Sequence, residues 1–146
     1  MAITSAICNS FKQEILEAEH NFTATTGNTF KLALFTSSAT LGASTTAYSS
    51  SNEITNTSET AYTAGGKALT SVTPTLDSST AVCDFADVSW TSASFTANGC
   101  LIYNDSHSTD ASVCAVAFGG DKTVSSGTFT IQFPAAAATT AIIRIA

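Results

Sequence analysis

The chain has 146 residues, enough for one domain with a sizeable core and too few for a second independent core. Only 11% of the residues are charged and the net charge is −6; the cations Lys12, Lys31, Lys67, Lys122 and Arg144 are scattered singly. No basic patch exists to neutralise phosphates, which argues against nucleic acid and anionic membranes as partners.

Serine, threonine and alanine supply much of the remaining sequence, so the surface is built from hydroxyls and small side chains. Such a surface loses little side-chain entropy when another protein packs on it. It suits a subunit of a larger assembly; adaptation of the surface to a solvent condition is the plainer alternative. There is no apolar run long enough to span a membrane. The N-terminus, MAITSAICNSFKQEILEAEHNF, has neither a basic region nor a continuous apolar region of the kind an export signal needs.

In chain order, the spacing of Ile7, Phe11, Ile15 and Ala18 predicts one helix over Ser5–Glu19, with Ser5 as N-cap and His20 placed to complement the helix dipole. A turn-rich connector over Asn21–Asn28 follows. Thr29–Thr36 predicts an inner strand, since Phe30, Leu32 and Leu34 alternate with Lys31, Ala33 and Phe35. From Ser37 to Gly66 periodicity fades, and the stretch reads as a long surface excursion pinned by Tyr48, Ile54 and Tyr62. So long an irregular segment is often functional, and it is the expected contact surface between subunits, with a plain packed loop as the alternative.

Lys67–Thr73 predicts a short strand that Pro74 ends or confines to an edge. Leu76–Ser79 reads as a turn. Thr80–Phe85 opens the segment around which the rest is organised, AVCDFADVSWTSASFTANGCLIY from Ala81 to Tyr103, with the single tryptophan, Trp90, as core anchor. Phe95–Tyr103 and Val113–Phe118 make a hairpin with a polar, flexible tip over Asn104–Ser112. Gly119-Gly120-Asp121 reads as a further turn, Gly127–Phe133 as a half-buried strand and Ala141–Ile145 as the last strand. The total is about eight strands. The expected fold is an all-β antiparallel sandwich, jelly-roll-like, in one domain over 1–146 with one N-terminal helix.

Chemistry is sparse. Asp84 and Asp87 are three apart, as surface acids commonly are, and only His20 and His107 could serve as a base for any serine. The glycine pairs at Gly65 and Gly119 lack the helix and lysine of a phosphate loop. Asn104, Asp105 and Asp110 offer hard oxygens at the hairpin tip without the glycine and glutamate of a calcium loop. Cys8, Cys83, Cys100 and Cys114 form no C-x-x-C pair and read as small buried thiols, with disulfides or a metal as the alternatives. No catalytic, cofactor-binding or metal-ligating residue is assigned, and the expectation is a non-enzymatic protein.

The blocks FKLALFTSSATL (Phe30–Leu41), TAYSSSNEI (Thr46–Ile54), YTAGGKALTSVTPTLD (Tyr62–Asp77), VCDFADVSWTSASFTANGCLIYND (Val82–Asp105), AFGGDKTVSSGTFTIQFP (Ala117–Pro134) and AIIRIA (Ala141–Ala146) cover nearly the whole chain. In this order they resemble a family of small structural proteins of tailed bacteriophages from marine and freshwater sources. Cys100 and Cys114 depart from the family's pattern, which has alanine or another small apolar residue there. The resemblance implies a virion component, assembled in the host cytoplasm, and carries over no catalytic motif. Lacking coiled-coil heptads, glycine repeats and fibrous periodicity, the chain fits a capsid decoration or cement protein better than a tail or fibre component, and a host-glycan-binding module would need exposed aromatics with polar partners in a groove, which the sequence does not show clearly. The implied partners are the major capsid protein or other virion proteins, with copies of the chain associating, by preference as trimers.

Overall fold

The structure, a computed structural model, describes residues 2–146. Its centre is a long antiparallel hairpin of β6 (Val88–Asn104) and β7 (Ser112–Ile131). On the other side of β6 lies β2 (Phe30–Phe35), with Phe30 opposite Asn104 and Phe35 opposite Gly99. Two short strands complete this sheet: β1 (Ala6–Ile7) pairs with β7, and β3 (Lys67–Ala68) pairs with β2, giving the order β1-β7-β6-β2-β3. A smaller antiparallel sheet holds β4 (Ser71–Asp77), β5 (Thr80–Phe85) and β8 (Ile143–Ile145), in the order β4-β5-β8. The protein is an all-β sandwich of two antiparallel sheets with one short helix, α1 (Asn9–Leu16).

Between the sheets Trp90, 1% exposed, stands among Tyr62, Phe95 and Phe129, and Phe30 stacks on Phe22 with ring centres 4.2 Å apart. A second apolar layer lies on the opposite face of the large sheet. There Ala33, Phe35, Leu101, Tyr103 and Ala115 are covered by Ile3 and Ala39. Two covered faces explain why β2 is apolar on both sides, as its sequence requires.

The structure corrects the sequence expectations at several places. The helix is only eight residues long, because Ala6–Ile7 joins the edge of β7 and Ile3 bridges to Leu41. Tertiary pairing overrides the helical spacing there. Cys8 stands at the N-cap without a side-chain bond, and Ser5 instead accepts the Ala117 N–H at 2.9 Å. Residues 76–77, expected in a turn, belong to β4; the turn is Ser78-Ser79, with Ser78 at φ +56°. Pro74 does sit in an edge strand, at a break in register between Val72 and Thr75.

Gly119-Gly120 does not turn the chain. Between the pairs Ala97–Lys122 and Gly99–Ala117, β7 carries extra residues, and the two glycines take up φ +74° and +140° in the resulting bulge. The Asn98 amide donates to Asp121 Oδ1 across it at 2.8 Å. At the hairpin tip the two ends, Asn104 and Ala111-Ser112, are buried, while Asp105, Ser106, Ser108 and Thr109 between them are exposed.

Candidate contact surface

The excursion over 37–66, the expected contact surface, is fastened to its own sheet. Its residues 52–54 run antiparallel to the end of β2: Thr36 N–H donates to Asn52 O (2.9 Å), and Ile54 N–H donates to Leu34 O (3.0 Å). With β3 covering Lys31 and Leu32, the edge of β2 is sealed along its length, which is how natural sheets avoid edge-to-edge association.

All three tyrosines hold the excursion in place. Glu53 Oε1 accepts from the Tyr62 hydroxyl (2.6 Å) and the Gly65 N–H (2.8 Å), and Glu53 Oε2 accepts from the Tyr48 hydroxyl (2.6 Å). Tyr62 Oη in turn accepts the Leu34 N–H (2.9 Å), while the Tyr103 hydroxyl donates to Gly65 O (2.7 Å) and its ring stacks on Tyr48 at 4.6 Å. Burial, and then the adjoining Glu53 carboxylate, hold the Tyr48 and Tyr62 phenols above their ordinary range. Tyr48, Ile54 and Tyr62 were legible in the sequence as pins; Glu53, an isolated acid in a polar run, was not.

A second knot fixes the hairpin tip. Asn104 Nδ2 donates towards Glu19 O (3.2 Å), Asn28 Oδ1 (3.2 Å) and His20 Nδ1 (3.1 Å), and its Oδ1 accepts the Ser106 N–H (3.0 Å). Because Oδ1 faces a donor and Nδ2 faces two oxygens, the amide orientation is determined, with the His20 ring beside it. On the other side of the ring, His20 Nε2–H donates to the Glu14 carboxylate at Oε2, 2.8 Å away. His20 is thus a buried core residue packed 5.0 Å from Phe11, and it serves the connector instead of the helix dipole.

His107 does come beside His20, with ring centres 6.3 Å apart, and its Nε2 lies 3.5 Å from Glu19. Its Nδ1 is held by Thr109, which leaves no serine in a base–nucleophile pair with either imidazole. Asp84 Oδ1 accepts the Phe85 N–H and Asp87 Oδ1 the Phe133 N–H, so each carboxylate is bonded to the backbone. Asp105 pairs with Lys31 at 3.0 Å. No group of three or more His, Cys, Asp or Glu side chains among the described residues is placed to hold a metal ion.

The four cysteines are unpaired and buried. All four lie in the one core, and burial first, then the Cys100, Cys8 and Cys83 thiols, hold the Cys114 thiol well above its ordinary range. Burial pushes Cys83 and Cys100 up to about 12.

An exposed apolar row lies on the small sheet. Leu76, Ala81 and Ile145 are direct neighbours across β4, β5 and β8, and Leu76 and Ile145 are 72% and 58% exposed. This row continues the face that carries Cys83, Phe85 and Ile143 into the core, past the point where the large sheet stops covering it. Beside it a cleft of about 450 Å³ opens between the small sheet and the helix region, with Phe11, Ile15 and Phe22 on one side and Cys83, Ile143 and Ile145 on the other. A second cleft, about 330 Å³, reaches from Leu32 and Cys100 to Val116, Phe118 and Ile142. The cause of both is topological: three strands cannot cover five. The exposed face of the outer half of the long hairpin is, by contrast, hydroxylated, with Ser89 bonded to Thr130 and Thr96 to Thr123 across the strands.

Compared with protein-family models, curated proteins and solved structures, the chain matches none of them.

Proposed function

We propose that this chain is a non-enzymatic structural subunit of a bacteriophage virion, a capsid decoration or cement protein that binds the head shell. The observation that carries the reading is the exposed apolar row Leu76–Ala81–Ile145 with its neighbouring cleft. Contiguous exposed apolar surface rimmed by small polar residues suits burial against another protein. The resemblance of nearly the whole chain to phage structural proteins supplies the virion, and the scarcity of charge supplies a surface that packs at small desolvation cost.

A stable contact buries on the order of 1,200–2,000 Å² in total. A domain this small reaches that area by touching several neighbours, the major capsid protein and copies of itself in a closed ring, a trimer by preference. The test is the copy number in purified particles, read from a stained gel against the major capsid protein. Hundreds of copies are expected. A dozen or fewer moves the subunit to the tail or a fibre, and detection in lysates but never in particles overturns the virion reading.

A further inference from the structure

We infer that the flank beside β8 receives an extended segment of another protein as an added strand, which completes the small sheet. The inference rests on reading the chain as an assembly subunit, but not on which assembly. Strand β8 ends the order β4-β5-β8, and beyond its pairing with β5 no backbone bond reaches residues 142–146 among the described residues. This free edge adjoins both clefts: Ile143 and Ile145 border the first, and Ile142 borders the second opposite Val116 and Phe118 of β7. Unsatisfied main-chain groups beside apolar hollows are the two ingredients of strand addition, in which backbone bonds give affinity and pockets for alternate side chains give selectivity.

The occupant's chemistry follows from the alternation along β8. Ile143 and Ile145 pair with Cys83 and Ala81 on one face of the sheet, whereas Arg144 pairs with Val82 on the alternate face, at the margin of the first cleft, where its guanidinium donates to Ala138 O at 2.8 Å. An added strand therefore presents apolar side chains next to the two isoleucines and, between them, an acid next to Arg144. A second copy pairing through its own β8 is disfavoured, because the antiparallel register that uses all three residues sets Arg144 against Arg144. Among the described residues the irregular stretches 37–66 and 134–141 are not free to fill the place, being bonded back to the sheets through Glu53, Ile54, Asp77 and Arg144.

The probes are two capped heptapeptides, Ser-Thr-Val-Glu-Val-Thr-Ser and the same sequence with a central Lys, added to the full chain. Amide exchange at Ile143–Ile145 is expected to slow about tenfold when the Glu peptide stands at ten times its Kd. The Glu peptide should bind roughly fivefold more tightly than the Lys peptide, and Arg144→Glu, on an exposed side chain, should reverse that order. Absence of protection at millimolar peptide, equal binding of both peptides, or protection along Val116–Ile131 instead of β8 overturns the proposal. Dimerisation of the chain alone with its β8 amides protected overturns it in favour of self-pairing. None of these results alters the copy number in particles, so the two readings fail separately.

Discussion

Tyr62 and Glu53 meet through a 2.6 Å hydrogen bond in which the phenol donates to the carboxylate, while the same phenol oxygen accepts the N–H of Leu34 on β2. One side chain thus closes the unpaired edge of the large sheet and fastens the excursion that covers it. Tyr62→Phe should cost about 1–3 kcal/mol, the penalty of leaving a buried N–H unsatisfied. Glu53→Ala removes the acceptor of two hydroxyls and of Gly65 N–H, and should cost about 3 kcal/mol. Glu53→Gln keeps one oxygen and should cost least. Chemical denaturation of the three variants checks the order, and equal stability of all three with the parent would show that the network holds nothing.

Titration above neutrality should destabilise the protein. Buried Cys83 and Cys100 titrate near 12 when folded, against about 8.5 in an unfolded chain. Tyr48, Tyr62 and Tyr103 are also raised. Groups whose folded pKa is raised bind more protons in the native state, so stability is fully present below the unfolded value and falls as the pH climbs from about 9 upward. Thiolate and tyrosinate absorbance should therefore appear together with the loss of fold. At pH 8 alkylation of all four cysteines should be slow until denaturant is added, and reductant should leave the melting temperature unchanged. Rapid labelling of several native thiols would contradict the packing.

Two glycines with similar backbone angles should respond differently to alanine. Gly66 has φ +78° and its missing Cβ would run into the carbonyl of Leu32, so Gly66→Ala adds a backbone collision to the left-handed strain. Gly119 has φ +74° and open space around it, which leaves the strain alone, about 1–2 kcal/mol. A melting temperature lowered more by Gly119→Ala than by Gly66→Ala would count against this account of the β2–β3 edge.

Trp90→Ala empties the largest site in the core and should cost about 3–5 kcal/mol. Lys67 lies over the indole, its ammonium 5.5 Å from the ring centre, and also donates to Ser89 O. Lys67→Met should therefore keep most of the packing and cost much less than the tryptophan substitution, as measured by the same denaturation midpoint.

Periodicity and composition were sufficient to determine the all-β class, the inner position of β2, the strand Thr80–Phe85, the edge status of Pro74 and the burial of Trp90 and the cysteines. Each of these depends on whether a side chain leaves water, and alternation of apolar residues reports that directly. Only the tertiary structure decided that Ala6–Ile7 pairs instead of coiling, that Gly119-Gly120 bulges instead of turning, and that Asn104 and Glu53 are hubs. It also decided that the small sheet ends one side of the sandwich short of cover. These outcomes depend on which partner lies across a gap of many residues, and a polar side chain in a Ser/Thr-rich run carries no local mark of the partner it will find.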